Sequence, residues 1–411
     1  MLQSPTYTNY NDEITTFNAD GFSGHLWPIH LKPMEDELLS SWLVRLARFH
    51  GLKLHTFSSI VWPRKQIWNI DIDKSADAEI VRTLSDKTGT PVERAKATTL
   101  GAYEDILYEK HNLFGPSSWI MPIGVYHRTR KKFGLQYCPL CLAEDKEPYY
   151  RRKWRLAFIV LCEKHQILLY DRCPKCAEPI NFHRDELGNH RKQVATSLTR
   201  CYACRFDLCT LKKRSAISTS PSETKFTIML LEAMNVGFMK ISTDVTISSL
   251  LYFAGFRQLM KIVAMRDKRI DRLRQVISKE YGVESYSPVN LGSHADVQEL
   301  SIESRRQLLG LVRCLIEEWP YRFIELSLKN KIWSSLWLRH LEPPARAHML
   351  TTPFWLWTVV HDHLYRARYC PSDEETNAAI KYLKRNNTVT NKSALARLLG
   401  VAVVRRKGIN L

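Results

Sequence analysis

Cys138, Cys141, Cys162, His165, Cys173, Cys176, Cys201 and Cys204 are the residues of this chain whose types and spacing could do chemistry. They read C-P-L-C, C-E-K-H, C-P-K-C and C-Y-A-C. Two residues between the members of each pair let both side chains reach one tetrahedral ion. Four such pairs make two complete zinc sites. The expected partition is sequential, Cys138/Cys141/Cys162/His165 and Cys173/Cys176/Cys201/Cys204, with an interleaved cross-brace as the lesser option. A disulfide framework is the rival. It fits poorly, because the start MLQSPTYTNYND is polar and has no signal-peptide core. Both zinc ions would be structural, since protein fills all four positions of each site. They would hold a loop-rich segment that cannot bury a core of its own.

Around these ligands, a chain of 411 residues with 45% hydrophobic content has room for two to four domains with real cores. No apolar run is long enough to span a membrane. Cys314 and Cys370 lie far from the cluster and read as buried thiols, and Cys209 as a spare thiol beside it. The formal charge is +18. Seven thiolates and two divalent ions would lower it to about +15. Residues 1–110 hold 12 Lys/Arg against 15 Asp/Glu, net −3, so the rest of the chain carries +21. The front is therefore expected to meet a protein and the remainder a polyanion such as nucleic acid.

The expected fold is mainly α. Residues 1–25 read as a flexible leader. Residues 26–134 read as an N-terminal helical domain. Pro33 is expected to start its first helix, with Glu35, Asp36 and Glu37 in the first turn and Gly51 after the end. Leu38, Leu39, Trp42, Leu43 and Leu46 would form its apolar stripe. Thr90-Pro91-Val92-Glu93 has the pattern of a capping box that opens another helix. Residues 135–213 would be the tandem zinc module. Ser215–Glu223 reads as a linker and residues 224–370 as a helical domain. Within that domain Leu308, Leu309, Val312, Leu315, Ile316 and Trp319 share a face, and Ser285–Ala295 is a loop.

Two basic stretches suggest DNA contact. Residues 126–155 hold nine Lys/Arg against three acids, interleaved with aromatics. Arg130, Lys131, Lys132, Arg151 and Arg152 are the candidates there. Arg257–Lys279 could track a backbone too, with a solvated helix face as the equal alternative. The second stretch is 376–411, with eight Lys/Arg and no acid. It belongs to a basic C-terminal unit, 371–411, with a helix-turn-helix pattern. Ala396 would allow close helix approach, Gly400 would make the turn, and Ala402–Asn410 would be the recognition helix. Lys392, Arg397, Arg405, Arg406 and Lys407 are its DNA candidates.

Taken in order, the motifs resemble a known family. Pro33, Glu37, Leu39, Ser41, Trp42, Leu43, Arg45, Leu46 and Ala47 form one block. A T-x-x-E helix runs into Thr99-Leu100. Then come Tyr137-Cys138-Pro139-x-Cys141-Leu142, Trp154, Cys162-x-x-His165, Cys173-Pro174-x-Cys176 and a last C-x-x-C. This resembles the TniQ/TnsD family of transposon target-selection proteins over about 26–210, with an echo in Glu318-Trp319-Pro320-x-x-Phe323. The resemblance implies a helix-turn-helix-like N-terminal domain and a non-catalytic, zinc-binding role in transposition and DNA recombination. The protein would mark a target site and recruit an AAA+ regulator, TnsC-like or TniB-like, which brings the transposase. Glu37, Ser41, Trp42 and Arg45 would then be partner-binding residues. TnsD-like members bind a target sequence directly. Members from CRISPR-associated transposons couple, as dimers, to an RNA-guided Cascade effector, so a homodimer is one expected state.

No P-loop, G-x-S-x-G or H-E-x-x-H motif occurs. That favours a binding protein over an enzyme, with no catalytic residue assigned. The expected location is the bacterial cytoplasm, on the nucleoid. The readings from other classes are a zinc-dependent transcription regulator and a nuclease or recombinase with a dispersed carboxylate site. Neighbouring genes would separate the first from a targeting protein, and DNA cleavage with magnesium would reveal the second.

Overall fold

The apolar spacing of residues 38–46 does build a helix, α1 (Leu39–Phe49), but Pro33 does not start it. In the computed structural model Asp36 takes φ +54°, a left-handed conformation that a helix cannot pass through. Glu35, Asp36 and Glu37 therefore lie in the approach to α1 and not in its first turn. Leu38, Leu39, Trp42, Leu43 and Leu46 are all fully buried.

The structure describes residues 6–8, 14–16, 22 and 24–400, apart from 125–130, 185–196, 211–215, 289–295, 339–351 and 366–370. Most of the expected leader and the recognition helix at 402–410 fall outside these residues, as does most of the 285–295 loop. The fold is mainly helical. After α1 come α2 (Leu54–Val61), α3 (Ile72–Ser75), α4 (Ala78–Thr88), α5 (Val92–Lys96) and α6 (Pro139–Glu144). Next are α7 (Pro221–Val236), α8 (Ser249–Ala264), α9 (Lys268–Tyr281), α10 (Ile302–Ile316) and α11 (Tyr321–Lys329). The last are α12 (Ser334–Trp337), α13 (Phe354–Leu364), α14 (Asp373–Arg385) and α15 (Lys392–Leu398). Strands occur only as three short antiparallel hairpins among the described residues. They are β1 (Thr6–Thr8) with β2 (Ile14–Thr16), β3 (Leu161–Cys162) with β4 (Ile167–Leu168), and β5 (Phe238–Lys240) with β6 (Thr246–Ser248).

Two local expectations need correction. Thr90 does not cap α5. Its hydroxyl is buried 2.7 Å from that of Thr88, and Pro91 stands at the helix start with no side-chain cap. The segment before residue 224 is not a free linker either. Leu168 N–H donates to Ile217 O at 2.9 Å and Thr219 N–H to Gln166 O at 3.1 Å. Ser220 and Glu223 then cap each other's backbone and open α7 at Pro221.

One buried apolar cluster runs through the N-terminal, cysteine-rich and helical regions. Trp119 shows how. Its ring centroid lies 5.1 Å from that of Phe158 and 5.3 Å from that of Phe256 on α8. Its indole N–H donates to Phe253 O at 3.3 Å. From α10, buried Arg305 donates to Ala157 O at 2.7 Å and to Gln136 Oε1 at 3.0 Å. Part of the Arg257–Lys279 charge is also committed within the fold, while Lys268, Arg272 and Lys279 are exposed. Arg257 and Lys261 pair with Asp296, Arg269 with Asp267, and Arg274 with Asp271.

Packing on α8 is close. A Cβ at Gly255 would sit 2.5 Å from Cζ2 of Trp355, whose indole N–H donates to Leu251 O. Gly255→Ala should therefore destabilise the protein by about 2 kcal/mol, the usual cost of overpacking. A thermal melt that matches the parent would refute this.

The α14–α15 pair has its own small core of Ala379, Leu383 and Leu395, with Ile380, Ala394 and Leu399 against it. Gly400 follows α15 at φ +63°, the conformation a turn needs there.

Candidate metal centres

The eight ligand candidates come together as two tetrads in sequential order, and the cross-brace is not formed. Within each tetrad the donor atoms lie within 4.8 Å of one another. In the first, Cys138 precedes α6, Cys141 lies in α6, Cys162 ends β3, and His165 sits in the β3–β4 turn. His165 Nδ1 is 3.3 Å from Cys138 Sγ, 3.3 Å from Cys141 Sγ and 3.5 Å from Cys162 Sγ. Cys141 and Cys162 sulfurs are 3.6 Å apart. In the second, the Cys173–Cys204 and Cys176–Cys201 sulfurs are 3.6 and 3.5 Å apart.

These spacings fit a tetrahedral ion. Metal–sulfur bonds of about 2.3 Å and a metal–nitrogen bond of about 2.0 Å imply ligand–ligand separations of roughly 3.5–3.8 Å. The donor chemistry fits too. Three neighbouring thiols cannot all ionise without a cation between them. Hydrogen bonds from Cys138 and Cys141 hold the Cys162 thiol far below its usual range, while the Cys138 thiol is driven far above it by its hydrogen bonds to Cys141 and Cys162. A divalent ion would let every thiol ionise. His165 turns Nδ1 to the sulfurs and leaves Nε2 2.9 Å from Glu144 Oε1. A carboxylate behind a ligating histidine is the usual outer partner of a metal site. Four protein donors close each tetrad, so neither offers a reactant an open position.

The knuckle turns share one device that the ligand spacing does not reveal. Gln166, Ala177 and Arg205 each donate N–H to the carbonyl of the residue four earlier, Cys162, Cys173 and Cys201, at 2.8, 2.9 and 2.9 Å. Each has a positive φ, 56°, 58° and 60°. Non-glycine residues carry strain there, and chelation by both arms of the turn offsets it. The first pair differs. Cys138-Pro139 opens a helix, because proline at the first helical position favours one. Cys209 is half-buried and lies outside both tetrads, and Cys314 is buried. Cys370 lies outside the described residues.

Glu37, Ser41, Trp42 and Arg45 do not form a partner-facing patch. All four are buried. Arg45 donates to Glu37 Oε2 and to Glu147 Oε2, both at 2.7 Å. Ser41 Oγ donates to Glu37 Oε1 at 2.9 Å and accepts from Tyr150 N–H at 3.0 Å. Trp42 Nε1–H donates to Leu31 O at 2.9 Å. The motif thus ties the loop between the first two ligand pairs to α1. Burial pushes the Glu37 carboxyl up to about 7 against the pull of Arg45.

That loop also absorbs the cations expected to touch phosphate. Arg151 forms a two-pronged pair with Asp145, both contacts 2.7 Å, and stacks on Tyr149 and Trp154. Arg152 reaches Asp36 Oδ1 at 3.3 Å and Ala97 O at 2.5 Å over the Tyr103 ring. Arg155, fully buried, pairs with Asp71 and Asp73 at 2.6 and 3.1 Å. Arg151 and Arg152 are therefore braces and not a DNA-facing rim, because Asp145 in the same loop and Asp36 far upstream reach them first. Lys131 and Lys132 stay near the surface, paired with Glu178 and Glu299. Arg397 is exposed on α15, and Lys392 opens that helix. Arg130, Arg405, Arg406 and Lys407 lie outside the described residues. No described helix is long and apolar enough to cross a membrane.

Compared with known protein families, residues 28–169 match TniQ. That span contains α1, the buried Glu37–Arg45 network and the whole first tetrad. No curated protein matches the chain.

Proposed function

We propose that this chain, whose residues 28–169 match TniQ, is a non-catalytic target-selection protein of the transposition machinery. It binds target DNA and recruits an AAA+ regulator of the TnsC or TniB kind, which brings the transposase. The observation that carries this reading is the first tetrad, a closed site inside the family match whose arms brace the N-terminal helices. Zinc is the proposed ion in both tetrads, since thiolate and imidazole donors in a closed tetrahedron suit it. Its role is structural: it fixes the shape of the surface that partners meet. The basic balance beyond residue 110 supports a polyanion partner and a place on the nucleoid in the cytoplasm.

One observation favours a second reading within the same family. The cations of the cysteine-rich loop are spent on internal pairs, which leaves less of the chain for direct DNA contact. In that case an RNA-guided Cascade complex reads the target and this chain, as a dimer, couples it to the regulator. Selection of bound fragments from a random DNA pool at physiological salt separates the two. A single enriched motif supports direct reading. Binding without enrichment hands target choice to a partner. No binding at all would remove DNA from the proposal.

A further inference from the structure

Among the described residues many basic side chains meet an acid or a carbonyl, but those of one face of α14 do not. Lys381, Lys384 and Arg385 on α14 are exposed, and none of their side chains makes an ion pair or hydrogen bond among the described residues. At i, i+3 and i+4 they share one face of the helix. The opposite face, Ala379, Ile380 and Leu383, packs on α15. The acids of α14 are confined to its first turn, Asp373, Glu374 and Glu375. They lie roughly 9–18 Å away along the axis at 1.5 Å per residue. That exceeds the screening length of about 8 Å at physiological salt, so they do not neutralise the face. Cations near a helix C-terminus also complement its dipole, but that effect fades beyond the last turn. It does not explain why residues 376–411 contain no acid at all.

We infer that the Lys381–Lys384–Arg385 face of α14 is a contact for the backbone of duplex DNA. The inference rests on the target-DNA reading above and extends it to a helix that precedes the helix-turn-helix pattern. The full chain is titrated with a labelled duplex of random sequence over a series of salt concentrations. Each phosphate contact contributes about 0.9 to the slope of log affinity against log salt. Lys381→Gln, Lys384→Gln and Arg385→Gln combined should lower that slope by about 2–3, with unchanged helicity. Lys381→Arg with Lys384→Arg should keep the parental slope. If the parent binds and the glutamine variant has the same slope, the face is not a DNA contact and an acidic protein surface becomes its candidate. If the parent does not bind duplex DNA, the target-DNA reading fails, and this inference with it.

Discussion

Cys138→Ser should lose about one metal ion per chain and loosen the N-terminal helices, whereas Cys201→Ser should lose one ion and leave those helices protected. The difference follows from what each tetrad's arms hold. Cys141 and Cys162 bracket the loop whose Tyr150, Arg151, Arg152 and Arg155 reach back to the approach to α1 and to α3. Without the first ion, the ends of that loop are no longer fixed, and the network through Ser41, Glu37 and Arg45 loses its far anchor. The second tetrad joins loops at 173–176 and 201–204, which among the described residues make no hydrogen bond to α1. The expected scale is large. A structural zinc contributes about 10–16 kcal/mol in small zinc-dependent folds, as much as the whole stability of a typical domain. Metal content by mass spectrometry and hydrogen exchange of α1 would read the two effects separately. Two ions retained in either variant would overturn the ligand assignment. Equal loosening of α1 in both would overturn the account of the loop.

Arg155→Leu should cost about 3–5 kcal/mol, the usual penalty for removing one partner of a buried ion pair. Arg155 has no exposed surface, and Asp73 facing it is 1% exposed. Besides its contacts to both aspartates, the guanidinium donates to Met121 O at 2.9 Å. Asp73 also accepts from Ser40 N–H at 2.7 Å and Ser40 Oγ at 2.9 Å, so it cannot swing out to water without breaking the start of α1. Burial pushes the Asp73 carboxyl up to about 6, and Arg155 pulls it back. A raised carboxyl takes up a proton on folding. Its share of stability is therefore full at low pH and is lost as pH rises through the folded value. Without Arg155 the opposing pull disappears and the carboxyl rises further. The deficit of the variant against the parent should then shrink on going from pH 8 to pH 5.5, because the orphaned carboxyl can be neutralised. Denaturant unfolding of both proteins at the two pH values checks this. A deficit that stays constant, or grows in acid, would mean that Asp73 is not the group left exposed to the penalty.

The two Cys/His clusters that could hold a metal ion and the first helix were legible in the sequence for one reason. Both are set by separations of a few residues. A C-x-x-C pair can chelate only by a local turn, and an apolar stripe at helical spacing can be buried only on one side. The sequential pairing of Cys138 to His165 and of Cys173 to Cys204 needed no long reach either. The fate of the charged residues was not legible. Arg152 meets Asp36 across 116 positions and Arg155 meets Asp71 across 84, and no local pattern encodes such partners. The run from Tyr149 to Arg155 therefore looked like a phosphate-binding rim when it is an internal brace. The motif Glu37-x-x-x-Ser41-Trp42-x-x-Arg45 looked like a recognition surface when it is a buried anchor. Sequence by itself determined where two ions can be held and which residues enter the core. Only the tertiary structure decided which cations are neutralised inside the fold and which, on α14, are left facing solvent, because burial of a charge depends on partners that the chain brings together from far apart.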